Sequence, residues 1–167
     1  MNSVPKIQPE ERPKHIRRDT SNATAKASRF VIAAYLFGAK FAEEQLSEIP
    51  FCSEVHTIIA KYLISKRLLE ERVQPAELFE FFDENTAEYE ELCRILDYSD
   101  GDSFAGAVAE KYFKDCVTKL KLYDTDKQIA ALTAEIEAET ANDKRKILAF
   151  RLQKLIKQKE KLKSGDK

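Results

Sequence analysis

The chain has 167 residues, 43% hydrophobic and 34% charged, with a net charge of −1, four Gly, five Pro and three Cys. That is room for one ordinary domain, or one domain with an appendage. No apolar run approaches the roughly 18 residues needed to cross a bilayer and no signal-peptide core follows Met1, so a cytoplasmic protein without membrane attachment is expected. Cys52, Cys93 and Cys116 are odd in number and widely spaced, which fits reduced thiols rather than a disulfide framework.

All five prolines lie at or before position 75. The remainder is rich in Ala, Leu, Glu and Lys, so the expected fold is all-α: a multi-helix bundle followed by a C-terminal antiparallel helical hairpin. Charge divides the chain. Residues 1–30 carry seven Lys/Arg against three acids, residues 31–122 ten against eighteen, and residues 123–167 eleven against eight. Three segments with different surroundings follow: a linker over 1–21, a bundle over 22–122 and a hairpin over 123–165.

Residues 1–21, "MNSVPKIQPEERPKHIRRDTS", hold three prolines, little apolar content and no period, the signature of a linker. A free-standing protein rarely begins this way, which points to a longer parent chain. Ser21 or Asn22 can cap the first helix. Its buried stripe is Phe30, Val31, Ala34 and Phe37, and Gly38 lets the chain turn. A short helix is expected over Ala39–Leu46. In "CSEVHTIIAKYLISK", Ser53 caps a helix whose stripe is Val55, Ile58, Ile59 and Tyr62. Pro75 suits the first turn of "PAELFEFF". Asn85 with Glu88 reads as a capping box for a helix burying Tyr89, Leu92 and Leu96. "YSDGDS" is a loop. No stretch alternates with period two, so no strand is expected.

From Ser103 the pattern is helical past Tyr123. Phe113, Val117 and Leu120 share one face, while Ile129, Leu132 and Ile136 share another, turned by more than a quarter revolution. One long helix over Ser103–Thr140 would pack first on the bundle and then on the closing helix. A break near Tyr123–Thr125 fits equally well, and both stay open. The chain turns back at Ala141, Asn142 and Asp143. The closing helix, Asp143–Lys163, places Leu148, Leu152, Leu155, Ile156 and Leu162 on a stripe that matches Ile129, Leu132 and Ile136. Ile147 and Phe150 fall off that stripe. An aromatic and an aliphatic residue among lysines suggest a docking surface.

Three readings compete for the nine Lys/Arg, against one acid, between Lys144 and Lys163. Lysines near a helix C-terminus oppose its dipole at a few tenths of a kcal/mol each. An acidic partner protein is the second reading, and nucleic acid the third. The partner reading is preferred because Ile147, Phe150 and the tip accompany the charge, whereas the helix has one aromatic and no base-reading motif. The candidate contact residues are Ile147, Phe150, Arg151, Lys154, Lys157 and Lys161, assisted by Asn142, Asp143, Lys144 and Arg145.

Cys52 and His56 stand four apart, a spacing that can place two metal ligands on one helix face, but no second pair accompanies them. They read as structural. The acid-rich "FFDENTAEYEELCRILDYSDGDS" lacks the calcium-loop pattern and reads as a solvated face. There is no phosphate loop and no nucleophile elbow. No catalytic residue, metal or cofactor is expected.

The order of segments resembles a known family. An acidic bundle leads through "YFKDCVTKLKLYDTDKQIAALTAEIE" into a charged hairpin ending "LQKLIKQKEKLKSG". This is similar to the C-terminal helicase-binding domain of bacterial DnaG-type primases. "SRFVIAAYLFGAKFAEE" resembles that family's opening helix, and "HTIIAKYL" and "PAELFEFFDE" sit where its members carry similar segments. The resemblance covers about Ala27 to Gly165. It implies a bundle similar in fold to the N-terminal domain of the replicative helicase, and a hairpin that docks on the N-terminal collar of the DnaB-type helicase hexamer. It also implies a six-helix-type bundle, with residues 1–20 as linker from the polymerase domain. The zinc cluster and the acidic polymerase motif of a complete primase are missing, so this chain should recruit and stimulate rather than make primers. A basic helical nucleic-acid-binding protein and the helicase's own collar domain are the competing readings; pairing of free chains through their hairpins stays open.

Overall fold

A computed structural model describes residues 23–42, 46–69, 73–99 and 103–165. The expected linker over 1–21 and the caps at Ser21 and Asn22 lie outside the described residues. Five α-helices follow in order: α1 (Ala23–Leu36), α2 (Glu54–Leu68), α3 (Ala87–Leu96), α4 (Gly106–Ala138) and α5 (Asn142–Ser164). Short 3-10 segments cover Leu46–Glu48, Pro75–Phe81 and Asp97–Ser99. The described residues contain no strand, as expected. Among the described residues the bundle comprises four α-helices and three 3-10 segments.

α1 is the centre of the bundle, packed against α2, α3 and α4. Burial is not confined to one stripe: every residue from Ala27 to Ala34 is buried, with Val31, Ile32, Ala33 and Ala34 at 0% exposure. Three alanines in this stretch let neighbouring helices approach from several sides. The Phe30 ring meets Tyr98, Phe104 and Tyr112 at centroid distances of 5.8, 5.4 and 4.7 Å, geometry that favours edge-on aromatic contact. Phe113, Cys116, Val117 and Leu120 close the core from the first half of α4.

Gly38 ends α1 as expected. Its φ of 70° is left-handed, the Ala39 N–H donates to Ala34 O at 2.8 Å, and the Gly38 N–H donates to Tyr35 O at 3.3 Å. That pair of bonds is the Schellman arrangement, and glycine adopts it without a Cβ penalty. The helix expected over Ala39–Leu46 is not formed: residues 39–42 are irregular, residues 43–45 lie outside the described ones, and Leu46 opens a 3-10 turn.

Ser53 caps α2, accepting from the His56 N–H. The buried face is His56, Ile59, Ala60 and Leu63, so the expected stripe is rotated; Ile58 is 40% exposed. "PAELFEF" forms a 3-10 segment with Pro75 at its start. The cap of α3 is Thr86, not Asn85: the Thr86 hydroxyl accepts from the Tyr89 N–H at 3.2 Å, while Asn85 takes a left-handed φ of 71°. Asn is one of the few residues besides Gly that visits this region readily.

One polar seam crosses the core. Arg29, 4% exposed on α1, donates from Nε and Nη2 to the two carboxylate oxygens of Glu91 on α3, at 2.5 and 2.8 Å. His56, 1% exposed on α2, places Nε2 2.7 Å from Glu91 Oε1. A buried guanidinium and carboxylate are tolerated only when paired and hydrogen-bonded, and the bidentate fork satisfies both. Among the described residues no buried side-chain N or O lacks a hydrogen-bond partner.

Candidate docking surface on the terminal hairpin

α4 is continuous over 33 residues, so the question left open at Tyr123–Thr125 resolves as an unbroken helix about 50 Å long. Its first half belongs to the bundle and its second half carries α5. The face change read from the sequence is present: Phe113, Val117 and Leu120 are buried, while Ile129, Leu132 and Ile136 are half-buried farther along. The turn lies at residues 139–141, two residues earlier than expected. Glu139 Oε1 accepts from the Ala141 N–H at 2.9 Å within the turn, and no side chain caps the first turn of α5. Asn142 and Asp143 therefore open α5 instead of forming the loop.

Two polar contacts flank the antiparallel seam. Arg145 Nε donates to the Ile136 carbonyl at 3.4 Å near the tip, and Lys159 Nζ sits 2.5 Å from Asp126 Oδ1 toward the bundle. Between them the seam is Leu148, buried at 6% exposure, with Leu152 and Leu155 half-buried; Leu162 lies beyond. Ile156, expected on this stripe, is 41% exposed, and Lys159 takes a place in the seam instead. At 100° per residue Ile156 lies about 80° from Leu148 and Lys159 only about 20°. The ion pair lets a lysine stem lie along the seam while its charge is met.

The outer side of α5 is left open. Ile147 is 56% exposed and Phe150 59%. On the same rotation, Ile147, Phe150, Lys154, Lys157 and Lys161 fall within a sector of about 80° turned away from the seam. The Lys154 ammonium lies 4.7 Å from the Phe150 ring centroid, a cation–π contact that holds the ring in place at a strength of about 0.5–1 kcal/mol for an exposed site. Arg151 lies about 40° outside this sector, toward the side of Leu162. All ten residues singled out from the sequence are exposed. They do not form one face, however: Asp143 shares the sector of Phe150, whereas Asn142, Lys144 and Arg145 point elsewhere, and Arg145 is engaged in closing the hairpin.

The dipole accounts for only part of the charge. Lys161 and Lys163 occupy the last turn of α5, where cations are favourable. Lys144, Arg145 and Lys146 lie at the opposite end, where a positive charge is unfavourable and the single acid of the first turn, Asp143, only partly offsets them. A second surface escaped the sequence reading. Ile58, Tyr62, Leu78, Phe81 and Phe82 line an open cavity of about 300 Å³ on the bundle, with Phe81 52% exposed. The rotation of the α2 stripe puts Ile58 there, and no local pattern in the sequence signals it.

Among the described residues, no group of three or more His, Cys, Asp or Glu side chains is arranged to hold a metal ion, and no helix is long and apolar enough to cross a membrane. No family model, curated protein or solved structure matches the chain.

Proposed function

We propose that this chain is the helicase-binding domain of a bacterial DNA primase, docking on the N-terminal collar of the replicative hexameric helicase to recruit primase and modulate unwinding. The observation that supports this reading is the pairing of exposed Ile147 and Phe150 with Lys154, Lys157 and Lys161 on one open sector of α5. Apolar anchors ringed by charge are what a protein interface needs: the anchors supply affinity on desolvation, and the lysines supply orientation and encounter rate toward an acidic surface. The long arm of α4 carries that sector beyond the bundle. The acidic bundle, with its apolar cavity at Ile58 and Phe81, makes a second and weaker contact that biases the conformation of the helicase.

Co-elution of the chain with purified helicase hexamer on size exclusion at 150 mM salt tests the reading. A complex is expected, and separate elution at micromolar concentrations contradicts it. Submicromolar binding to single-stranded or duplex DNA at that salt, with a steep salt slope and no helicase complex, would support the nucleic-acid reading instead.

A further inference from the structure

At its outer end the polar seam between α1, α2 and α3 finishes in a thiol. Cys52 lies immediately before the Ser53 cap of α2 and is partly exposed, whereas Ser28, Arg29 and His56 behind it are buried. Its Sγ is 3.3 Å from Ser28 Oγ and 3.8 Å from His56 Nδ1. The far ring nitrogen of His56 faces Glu91, which Arg29 grips from α1 and Arg94 approaches from α3 at 3.3 Å. Ser53 Oγ, 2.7 Å from Nδ1, shares that nitrogen with the thiol. A half-buried thiol, an imidazole and a carboxylate thus follow one another, with the carboxylate fixing the ring.

The electrostatics follow from this geometry. Burial pushes the Cys52 thiol up, but hydrogen bonds from His56 and Ser28 outweigh it and bring it below the usual thiol range. Burial pushes His56 down, but its bonds to Cys52 and Glu91 outweigh that and raise it. The pair therefore favours thiolate beside imidazolium, the reactive form of cysteine. The other two thiols go the opposite way: burial raises both Cys93, assisted by Asp97, and Cys116.

We propose that Cys52 is a modification site that takes small organic disulfides by thiol–disulfide exchange, with His56 and Glu91 as positioning residues. The Cys52 thiolate attacks one sulfur of the disulfide. A new bond forms between Sγ and that sulfur as the original S–S bond breaks, and the second sulfur departs with the electron pair as a thiolate that takes a proton from solvent. Cys52 is oxidised, the departing thiol is reduced, and no further oxidant is needed.

The test uses the full chain and a neutral probe, 2-hydroxyethyl disulfide, with the adduct at each cysteine followed by peptide mass mapping from pH 5 to 9. At pH 6.5 the Cys52 adduct should form about tenfold faster than that of Cys93, because the gain in thiolate fraction exceeds the loss of intrinsic nucleophilicity. Between pH 6.5 and 8.5 its rate should rise distinctly less than the roughly fiftyfold expected of an ordinary thiol. A Cys52 rate that climbs in parallel with that of Cys93, or no adduct at Cys52, overturns the proposal. Glu91→Gln should shift the Cys52 profile toward that of Cys93, and an unshifted profile would remove Glu91 from a positioning role. The comparison of thiols within the unaltered chain decides the main point even if that variant does not fold.

Discussion

Lys159 of α5 reaches the Asp126 carboxylate of α4 at 2.5 Å, tying the two arms of the hairpin together well below its tip. Both groups are partly solvated, with side chains 30% and 52% exposed, so the pair contributes at most about 1 kcal/mol and is screened by salt. Asp126→Asn should therefore leave the hairpin closed. Hydrogen exchange of α5 amides should quicken only slightly at low salt and not at all at 0.5 M. Wholesale opening of α5 would mean that this pair, and not the leucine seam, holds the arm.

Leu148 is the more consequential residue. It is the one side chain of α5 that is buried. Two helices of this length are marginal without their shared seam. Leu148→Ala should cost about 2–3 kcal/mol, at the lower end for a buried leucine because the site has one neighbour helix and can relax. The expected readout is faster amide exchange throughout residues 142–164 with unchanged protection in α1 and the first half of α4. Equal loss of protection in both regions would show that hairpin and bundle unfold together.

The polar seam sets the pH dependence of the bundle from two sides. Burial pushes the Glu91 carboxyl up, but hydrogen bonds from His56 and Arg29 outweigh it and lower it to about 2. Its contribution is present above the ordinary carboxyl range and is lost as pH falls toward 2, on the order of 2–3 kcal/mol. His56 is raised, so its contribution is complete below its ordinary value of 6.5 and is lost as pH climbs through the higher folded value. Cys52 opposes that loss, because its lowered value lets its contribution grow toward the ordinary thiol range. Melting temperature should thus peak above about pH 5 and fall on the acid side, and Glu91→Gln should flatten that acid limb. Removing one partner of a buried pair also lowers stability at the peak by roughly 3–5 kcal/mol. An acid limb of unchanged depth in the variant would place the acid sensitivity in other carboxylates.

Elements with a strong local signal were legible in the sequence. Ser53 before "EVHTIIAKYL" and Gly38 after α1 announce their caps through their own chemistry, and the change of face along α4 follows from spacing alone. What failed depends on distant partners. Nothing local singles out Arg29; Glu91, 62 residues later, meets it inside the core. The stripe of α2 is rotated because buried His56, satisfied by Ser53 and Glu91, displaces Ile58 to the surface. The hairpin turn lies two residues earlier, with Ala141 at the cap position and no side chain capping the first turn of α5; Glu139 binds the N–H of Ala141 itself. Asn85 suits a cap by its type, yet its neighbour Thr86 holds the position with the right backbone. For the proposed docking surface, rotation alone separates Ile147 and Phe150 from the seam, and both are exposed. Lys144 and Arg145 leave that face by the same rotation, whereas the place of Asn142 and Asp143 in the first turn of α5 follows from the position of the turn.

The most direct measurement is calorimetric titration of the helicase hexamer with the unaltered chain and with the Ile147→Glu, Phe150→Glu double variant, whose changes fall on exposed positions and should leave helicity and melting temperature intact. Loss of two interface anchors should weaken binding by at least about a hundredfold. A variant that stays folded and binds the hexamer as tightly as the unaltered chain would contradict docking through the outer side of α5.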